Sequence, residues 1–137
     1  MMISTRGRYA LRVMLDLAQH RKEGYISLKE VALRQDISMK YLESIIAVLN
    51  RAGMVQSLRG KDGGYRLSRP DEEYTVGSIL KAAEGSLAPV SCLDPSGAVP
   101  CERTATCLTL PLWKKLDTMI DEYLEGITLA DILHHKI

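Results

Sequence analysis

The chain has 137 residues, enough for one compact domain, or for one domain with an oligomerising arm. Apolar residues make up 46% of it and charged residues 26%, a balance that allows a hydrophobic core. No apolar run approaches the roughly 18 to 20 residues of a membrane span. The first residues also lack the apolar stretch of a signal peptide. We therefore expect a cytoplasmic protein without a membrane partner.

Charge is divided unevenly along the chain, although the net charge is only +1. Residues 1–70 carry thirteen Lys or Arg against six Asp or Glu, whereas residues 71–137 carry five against eleven. A basic half joined to an acidic half favours a polyanion as the partner of the first half only. Chance clustering of charges would give the same pattern.

Helical spacing of apolar residues predicts three helices at the start of the chain, over residues 4–20, 27–35 and 38–52. Ser27 and Ser38 stand where a side chain can cap the second and third helices. A helix, a short turn and a second helix capped by serine form the outline of a helix-turn-helix.

A β-hairpin is predicted directly after the third helix. Residues 55–59 form its first strand, residues 60–64 a glycine-dense turn that can supply positive φ angles, and residues 65–68 the return strand. A hairpin in this position makes a wing. We therefore assign residues 1–70 to a winged helix-turn-helix DNA-binding domain.

The next segment, residues 71–108, is predicted to link the DNA-binding domain to the rest of the chain. A helix over residues 75–85 is followed by residues 86–108, which show no clear period and contain all three cysteines. We call residues 86–108 the cysteine segment.

A long helix and a short last helix are predicted over residues 109–137. Thr109 can cap the long helix, Pro111 is tolerated in its first turn, and residues 128–136 form the last helix behind their own Thr cap. The apolar stripe of the long helix is made by Trp113, Leu116, Ile120, Tyr123, Leu124 and Ile127. Such a stripe is more often core than interface, but here it favours a homodimer. The predicted fold is mainly α with a small β-hairpin wing and a long C-terminal dimerisation helix.

The third helix carries the predicted base contacts, because a recognition helix enters the major groove with its N-terminal residues near base edges. Lys40 can donate to guanine or phosphate, and Glu43 can accept from cytosine. The predicted contacts from this helix are those of Ser38, Lys40, Tyr41, Glu43 and Ser44. An ordinary solvated helix face would show the same spacing.

The predicted wing places cations beside glycines. A slim turn tipped with positive charge suits the narrow minor groove of duplex DNA. A plain hairpin is the alternative, and a phosphate-cradling loop lacks its Lys-Ser/Thr pair at a helix start. The predicted contacts from the wing are those of Arg59, Gly60, Lys61, Gly63 and Gly64. The partner is then double-stranded DNA, and a dimer would match a palindromic operator.

Three thiols, Cys92, Cys101 and Cys107, lie within sixteen residues, and their odd number argues against a disulfide framework. Thiolates bind iron–sulfur clusters and zinc well. Cys107 precedes a predicted helix N-terminus, where the helix dipole lowers a thiol pKa. A metal centre, direct sensing by thiol oxidation and unliganded cysteines with no sensing role all remain open.

These segments in this order resemble the Rrf family of winged-helix transcription regulators, which includes IscR, NsrR and CymR. The likeness spans nearly the whole chain. Its carriers are Thr-Arg-Gly-Arg-Tyr-Ala at residues 5–10, Ile-Ser-Met-Lys-Tyr-Leu-Glu at 37–43, the Leu-Arg-Gly and Gly-Gly-Tyr of 58–65, and Ile-Thr-Leu at 127–129. The resemblance implies a homodimeric regulator with Arg59 in a minor groove.

Family members with a cysteine triad in this segment resemble holders of an iron–sulfur cluster, commonly 2Fe–2S. The resemblance places the metal ligands at Cys92, Cys101 and Cys107. IscR has a His three residues after the last Cys as fourth ligand, where this chain has Leu110. NsrR-type members use an acid near the N-terminus, where this chain has Arg6 and Arg8. Glu102 is the first candidate for the fourth ligand, and a solvent or small-thiol ligand is also open. The other side chains that could serve are Ser91, Asp94, Thr106, His134 and His135.

The sequence thus predicts a DNA-binding transcription regulator whose operator affinity depends on an iron–sulfur cluster. The alternative is a cluster-free regulator of the same fold that responds to thiol oxidation, a small ligand or a partner protein. An enzyme or an electron carrier is disfavoured, because His20, His134 and His135 are the only histidines and no nucleophile–base set or cofactor loop is present.

Overall fold

The computed structural model describes residues 3–95 and 101–137, which form six α-helices and one antiparallel pair of strands. The elements are α1 Thr5–Gln19, α2 Leu28–Gln35, α3 Met39–Arg51, β1 Val55–Leu58, β2 Gly64–Leu67, α4 Val76–Glu84, α5 Leu110–Glu125 and α6 Leu129–Leu133. The mainly α fold with a hairpin wing is confirmed. No helix in the described part of the chain has both the length and the apolarity to cross a membrane.

Hydroxyl side chains start most of the helices. Ser4, Ser27, Ser38 and Thr75 each accept a hydrogen bond from the backbone N–H three residues further on. Each cap satisfies a backbone donor that has no partner inside its helix. The predicted starts of α1, α2 and α3 are therefore confirmed by the caps themselves.

Two predictions about the last helices were wrong. Thr109 makes no capping bond to α5, and its hydroxyl oxygen lies 3.3 Å from the Cys107 Sγ instead. The last helix ends at Leu133 rather than at residue 136, because the backbone of His135 is left-handed, with a φ of 55°. Pro111 does lie in the first turn of α5, and Thr128 does cap α6.

The main core lies where α1 meets the helix-turn-helix and the base of the wing. Its side chains are fully or almost fully buried apolar groups, among them Ala10, Val13, Met14, Leu17, Val31, Leu42, Ile45, Leu49 and Leu67. Burial of each Leu, Ile, Val or Met contributes about 1.5 to 3 kcal/mol. This core fixes α3 against α1, so the outward face of α3 is set by the packing of its inward face.

A second, smaller core joins α4 to α5. Val76, Leu80 and Leu87 are buried, and Leu124 and Ile127 pack against them. No residue of α5 is fully buried, so this helix is held along one side only.

The N-terminus of α1 is fastened to the last residue of α4. The backbone N–H of Ser4 donates to a Glu84 carboxylate oxygen at 2.9 Å, and the Ser4 hydroxyl donates to the same oxygen. A Cβ on Gly7 would lie 2.2 Å from that oxygen, so a side chain there would displace the carboxylate. The cysteine segment therefore begins beside a fixed point on the first helix.

A buried carboxylate connects α1 to α2. The Asp16 side chain is 1% exposed and accepts two hydrogen bonds from Arg34, at 3.0 and 2.7 Å, and one from Gln35 at 2.9 Å. Burial by itself would raise the pKa of Asp16, but these hydrogen bonds and the Arg34 charge outweigh it, so the pKa lies below its ordinary value. The charge is therefore retained inside the fold.

Replacing Asp16 with Asn should lower the free energy of unfolding at pH 7 by about 2 to 3 kcal/mol, because Arg34 loses its charged partner but remains partly solvated. Urea unfolding followed by circular dichroism measures the loss. Glu23→Gln is the matched control, since Glu23 is 61% exposed and should change stability little.

The same pair predicts a pH dependence with a definite sign. A carboxyl whose pKa is depressed by folding contributes stability above its unfolded pKa, near 3.9 for Asp, and loses that contribution as the pH falls. The gap between the wild type and Asp16→Asn should therefore be full at neutral pH and should close in acid. A gap that widens in acid would contradict the assignment.

Candidate nucleic-acid interface and cysteine segment

The turn between α2 and α3 is made by one left-handed residue and one buried side chain. Asp36 has φ 54° and ψ 53°, a conformation that Asp adopts more readily than most residues. The next side chain, Ile37, is buried in the core. Ser38 then caps α3, so the first turn of α3 leads away from the core.

Two of the predicted base contacts lie exposed on the first half of α3. Lys40 and Glu43 are exposed, three residues apart on one helix face. Ser44 is half-buried, and its hydroxyl donates to the Tyr41 carbonyl at 2.7 Å. The Ser38 oxygen accepts from the Tyr41 N–H at 3.2 Å. The helix therefore exposes one cation and one carboxylate on its first half, while Ser44 supports the helix itself.

An aromatic pair between α1 and α3 holds Tyr41 in place. The rings of Tyr9 and Tyr41 meet edge to face, with centroids 5.8 Å apart and an interplanar angle of 67°. The Arg12 guanidinium lies over the same Tyr9 ring, 4.7 Å from its centroid. The sequence pattern did not indicate a role for Tyr9 or Arg12, although both lie on α1 at helical spacing. Their contacts connect α1 to the first half of α3.

The turn of the wing requires glycine because of the backbone around it. Gly60 has a φ of 111°, in the left-handed region, and its carbonyl accepts from the Gly63 N–H at 3.1 Å. A Cβ on Gly63 would lie 2.1 Å from the Leu58 carbonyl oxygen. A side chain at Gly63 therefore cannot be accommodated without moving the strand, and glycine keeps the turn narrow.

Two cations lie at the turn, and a third lies on strand β2 away from the tip. Arg59 and Lys61 are exposed at the turn, and Arg59 lies just outside β1 rather than within it. Arg66 stacks on the Tyr25 ring at 4.5 Å and donates to the Gln56 side chain at 3.1 Å. The wing tip therefore presents two positive side chains, and the third serves the hairpin.

The wing is also hydrogen-bonded to the residue just before α2. Ile26 and Tyr65 exchange two backbone hydrogen bonds, of 2.9 and 2.8 Å. A Cβ on Gly64 would lie 2.2 Å from the Ile26 carbonyl oxygen. Gly64 thus allows close approach of two backbones, which the sequence pattern did not indicate. This bridge connects the wing to the helix-turn-helix as one unit.

The three cysteines are free thiols on the outside of the fold. Cys92, in a 3-10 turn over 91–93, and Cys101 are exposed, and Cys107 is half-buried. In residues 3–95 and 101–137, no three His, Cys, Asp or Glu side chains are close enough together to hold a metal ion. The described structure therefore does not gather the three predicted ligands. Residues 96–100, between Cys92 and Cys101, lie outside the described residues.

Cys107 has the surroundings of a thiolate. The Thr109 hydroxyl lies 3.3 Å from the Cys107 Sγ, and this hydrogen bond, followed by that of the Thr109 backbone N–H, lowers the thiol pKa below its ordinary value. Leu110, at the position of the fourth IscR ligand, is a half-buried apolar side chain that cannot bind a metal. Glu102 is exposed and follows Cys101 directly. The donor set of three free thiols suits a soft metal centre chemically.

A capped recognition helix, a glycine-tipped basic hairpin and a core that joins the two define a winged helix-turn-helix DNA-binding regulator. The family model described as "Rrf2: Iron-dependent Transcriptional regulator" matches residues 3–135. The chain belongs to the Rrf2 family of transcription regulators.

Relatives and solved structures agree over almost the whole chain. It is 38% identical over 133 residues to the HTH-type transcriptional regulator IscR of Aliivibrio salmonicida, covering 97% of this chain and 77% of that one. The structure of T. potens IscR has a TM-score of 0.79 and 39% identity, covering 100% of this chain and 89% of the other. The structure of CymR, the global cysteine regulator of B. subtilis, has a TM-score of 0.78 and 36% identity, covering 98% of both chains. The protein is thus a transcription regulator and not an enzyme.

Proposed function

We propose that this protein is a homodimeric regulator of a palindromic operator, and that an iron–sulfur cluster of the 2Fe–2S type controls its affinity for DNA. The observation that carries the proposal is a set of three free thiols just ahead of α5, in a chain whose family is described as iron-dependent. The signal is then the supply or the oxidation state of the cluster.

The winged helix supplies the grip on DNA. Lys40 donates to guanine or phosphate and Glu43 accepts from cytosine in the major groove, while Ser38 and Tyr41 lie near phosphates. Arg59 and Lys61 enter the adjoining minor groove, where the negative potential is strongest. The remaining positions shape the reading surface rather than contact bases, and they are Ser44, Gly60, Gly63 and Gly64.

The cysteine segment supplies the control. Cys92, Cys101 and Cys107 would hold the cluster, which adds a soft, redox-active anionic centre to the segment when it is bound. Thr109 favours the thiolate of Cys107, the form that binds metal. Glu102 is the candidate for the fourth ligand. Holding the three thiols together orders the segment between α4 and α5, and a coupling of about 1 to 3 kcal/mol would change operator affinity about 5- to 150-fold.

A second copy of the chain pairs through α5. Leu112, Leu116, Met119 and Tyr123 are 59%, 37%, 55% and 65% exposed, and their spacing places them on one helix face. The predicted stripe is therefore divided between two sides of α5. The half-buried side faces the rest of the same chain and includes Trp113, Ile120 and Leu124. An exposed apolar strip of this length on a small domain suits a dimer interface.

A cluster-free regulator that responds through its thiols is the second candidate. The arrangement of the described cysteines favours it, because they are not gathered and the hydrogen bonds from Thr109 lower the pKa of the Cys107 thiol. The similarity to a protein titled a global cysteine regulator supports the same alternative.

Arg59→Ala should weaken operator binding and reduce the slope of log K against log salt by about 0.9, because the protein then neutralises one DNA phosphate fewer. Fluorescence anisotropy with a palindromic duplex at several salt concentrations measures both quantities. Lys136→Ala removes the same charge near the exposed C-terminus and should leave both unchanged. Equal slopes for the wild type and Arg59→Ala would exclude Arg59 from the interface.

Combined replacement of Cys92, Cys101 and Cys107 by Ala should abolish the visible absorption that the wild type gains on anaerobic reconstitution with iron and sulfide. It should also abolish the accompanying change in operator affinity. Ser86→Ala, in the same segment but not among the candidate ligands, is the matched control. A triple variant that still responds to iron and sulfide overturns the cluster proposal, and a colourless wild type that responds to oxidants instead selects the thiol alternative.

Met119→Glu should convert the dimer to a monomer, because it places a charge in the centre of the exposed apolar face of α5. Light scattering on the wild type should give twice the 15.3 kDa of one chain. Thr118→Glu adds the same charge at a neighbouring exposed position outside that face and should remain a dimer. A wild type that is already monomeric at micromolar concentration would exclude the α5 interface.

A further inference from the structure

One buried hydroxyl closes the open end of the wing. Tyr74 is fully buried, and its hydroxyl donates to the Met54 carbonyl at 2.6 Å. The same oxygen accepts from the backbone N–H groups of Ser68 at 3.0 Å and Arg69 at 3.1 Å. Met54 directly precedes β1, and Ser68 directly follows β2. A single side chain therefore binds both legs of the hairpin where they leave the core.

The backbone around Tyr74 is joined to the segment that follows α5. Its carbonyl accepts from the Leu129 N–H at 3.0 Å, and the Val76 N–H donates to the Ile127 carbonyl at 2.8 Å. Between these two bonds, Thr75 and Thr128 form an antiparallel bridge. Residues 74–76 and 127–129 thus form a short ladder, with the base of the wing on one side and the end of α5 on the other.

Glu125, the last residue of α5, is hydrogen-bonded to the same ladder and to α4. One Glu125 oxygen accepts from the Thr75 hydroxyl at 2.9 Å, and the other accepts from the Lys81 ammonium at 3.0 Å. A Cβ on Gly77 would lie 2.3 Å from a Glu125 oxygen, so the carboxylate lies directly over the start of α4. A shift of α5 therefore moves the ladder, and the ladder carries Tyr74.

We propose that Tyr74 is a positioning residue that transmits the position of α5 to the wing. The orientation of the wing then depends on the position of the dimerisation helix. The inference rests on the proposed role of the wing in DNA binding. It identifies the route through which a change beside α5 would reach Arg59 without rearranging the core. The route runs from Glu125 through the ladder to the Tyr74 hydroxyl and then to both legs of the hairpin.

A purely structural role for Tyr74 predicts something different. Its ring is buried in the main core, and the Arg69 guanidinium lies 4.7 Å from the ring centroid. A structural loss would lower stability and weaken all DNA contacts alike. A positioning role through the wing weakens only the contacts that the wing makes. Tyr74→Phe separates the two roles, because it keeps the ring and the Arg69 stack and removes the hydroxyl alone.

The test is a pair of double-mutant cycles on operator affinity, measured with the full-length protein below its melting temperature. Tyr74→Phe should lower affinity about three- to tenfold. In combination with Arg59→Ala, which already removes the wing contact, the further loss should be small. In combination with Lys40→Ala, which acts in the major groove, the two losses should multiply. Loss that multiplies equally in both cycles overturns the proposal.

Two further measurements keep the test decisive. Amide hydrogen exchange in Tyr74→Phe should be faster at Arg69 and unchanged at Val13 in α1, whereas a general loss of structure would speed both. The Ser68 N–H should change less, because it also donates to the Met54 carbonyl at 3.2 Å. Glu125→Gln, at the other end of the route and partly exposed, should reproduce the wing-specific loss if Tyr74→Phe proves too unstable to assay. Multiplicative loss for Glu125→Gln with Arg59→Ala would overturn the proposal for that variant as well.

The outcomes also distinguish this inference from the function on which it rests. If Arg59→Ala by itself leaves affinity and salt slope unchanged, Arg59 does not bind DNA and the proposed contact of the wing fails. If Arg59→Ala weakens binding but is independent of Tyr74→Phe, the interface stands and the route through Tyr74 is wrong.

Discussion

A single carboxylate in the core determines how the reading head is assembled. Asp16 is buried in α1, where an unpaired charge would cost several kcal/mol, so α2 must bring Arg34 and Gln35 to it. α2 leads directly into α3 through the left-handed Asp36 and the buried Ile37. An ion pair outside the recognition helix therefore acts together with the apolar core to orient that helix.

Different interactions stabilise the two halves of the protein. Apolar packing dominates around α1 and α3, whereas α5 contributes no fully buried side chain and relies on Glu125, its partners and a small apolar cluster. An element fastened so lightly moves at lower cost than one embedded in a core. That difference suits a regulator in which the core around α1 and α3 stays rigid and the attachment of α5 adjusts.

Much of the fold could be predicted from local sequence signals. Serine caps and helical periodicity located α1 to α3 to within a residue or two, and the glycines located the wing turn. One of the two errors in the last helices arose because a residue had two possible partners. Thr109 could cap a helix or bind a thiol, and only the spatial position of Cys107 decides between them.

Contacts between distant parts of the chain had no such signal. Tyr74 finds its partners at residues 54, 68, 69 and 129, and Gly64 owes its identity to the carbonyl of Ile26. Neither pairing has a periodicity that a linear pattern could reveal. In the candidate site, the exposure of the charged side chains on α3 and the wing followed from the helix-turn-helix outline, whereas the arrangement of the thiols depends on long-range geometry that spacing alone does not specify.

The crowding at Gly63 restricts how this regulator can diverge. A methyl group there would meet the Leu58 carbonyl oxygen, so the profile of the hairpin tip tolerates almost no variation by substitution. The neighbouring Arg59 and Lys61 are exposed and free of that restriction. Paralogues with altered operator strength are therefore expected to differ in the cations beside an unchanged glycine, which makes tuning gradual and leaves the architecture intact.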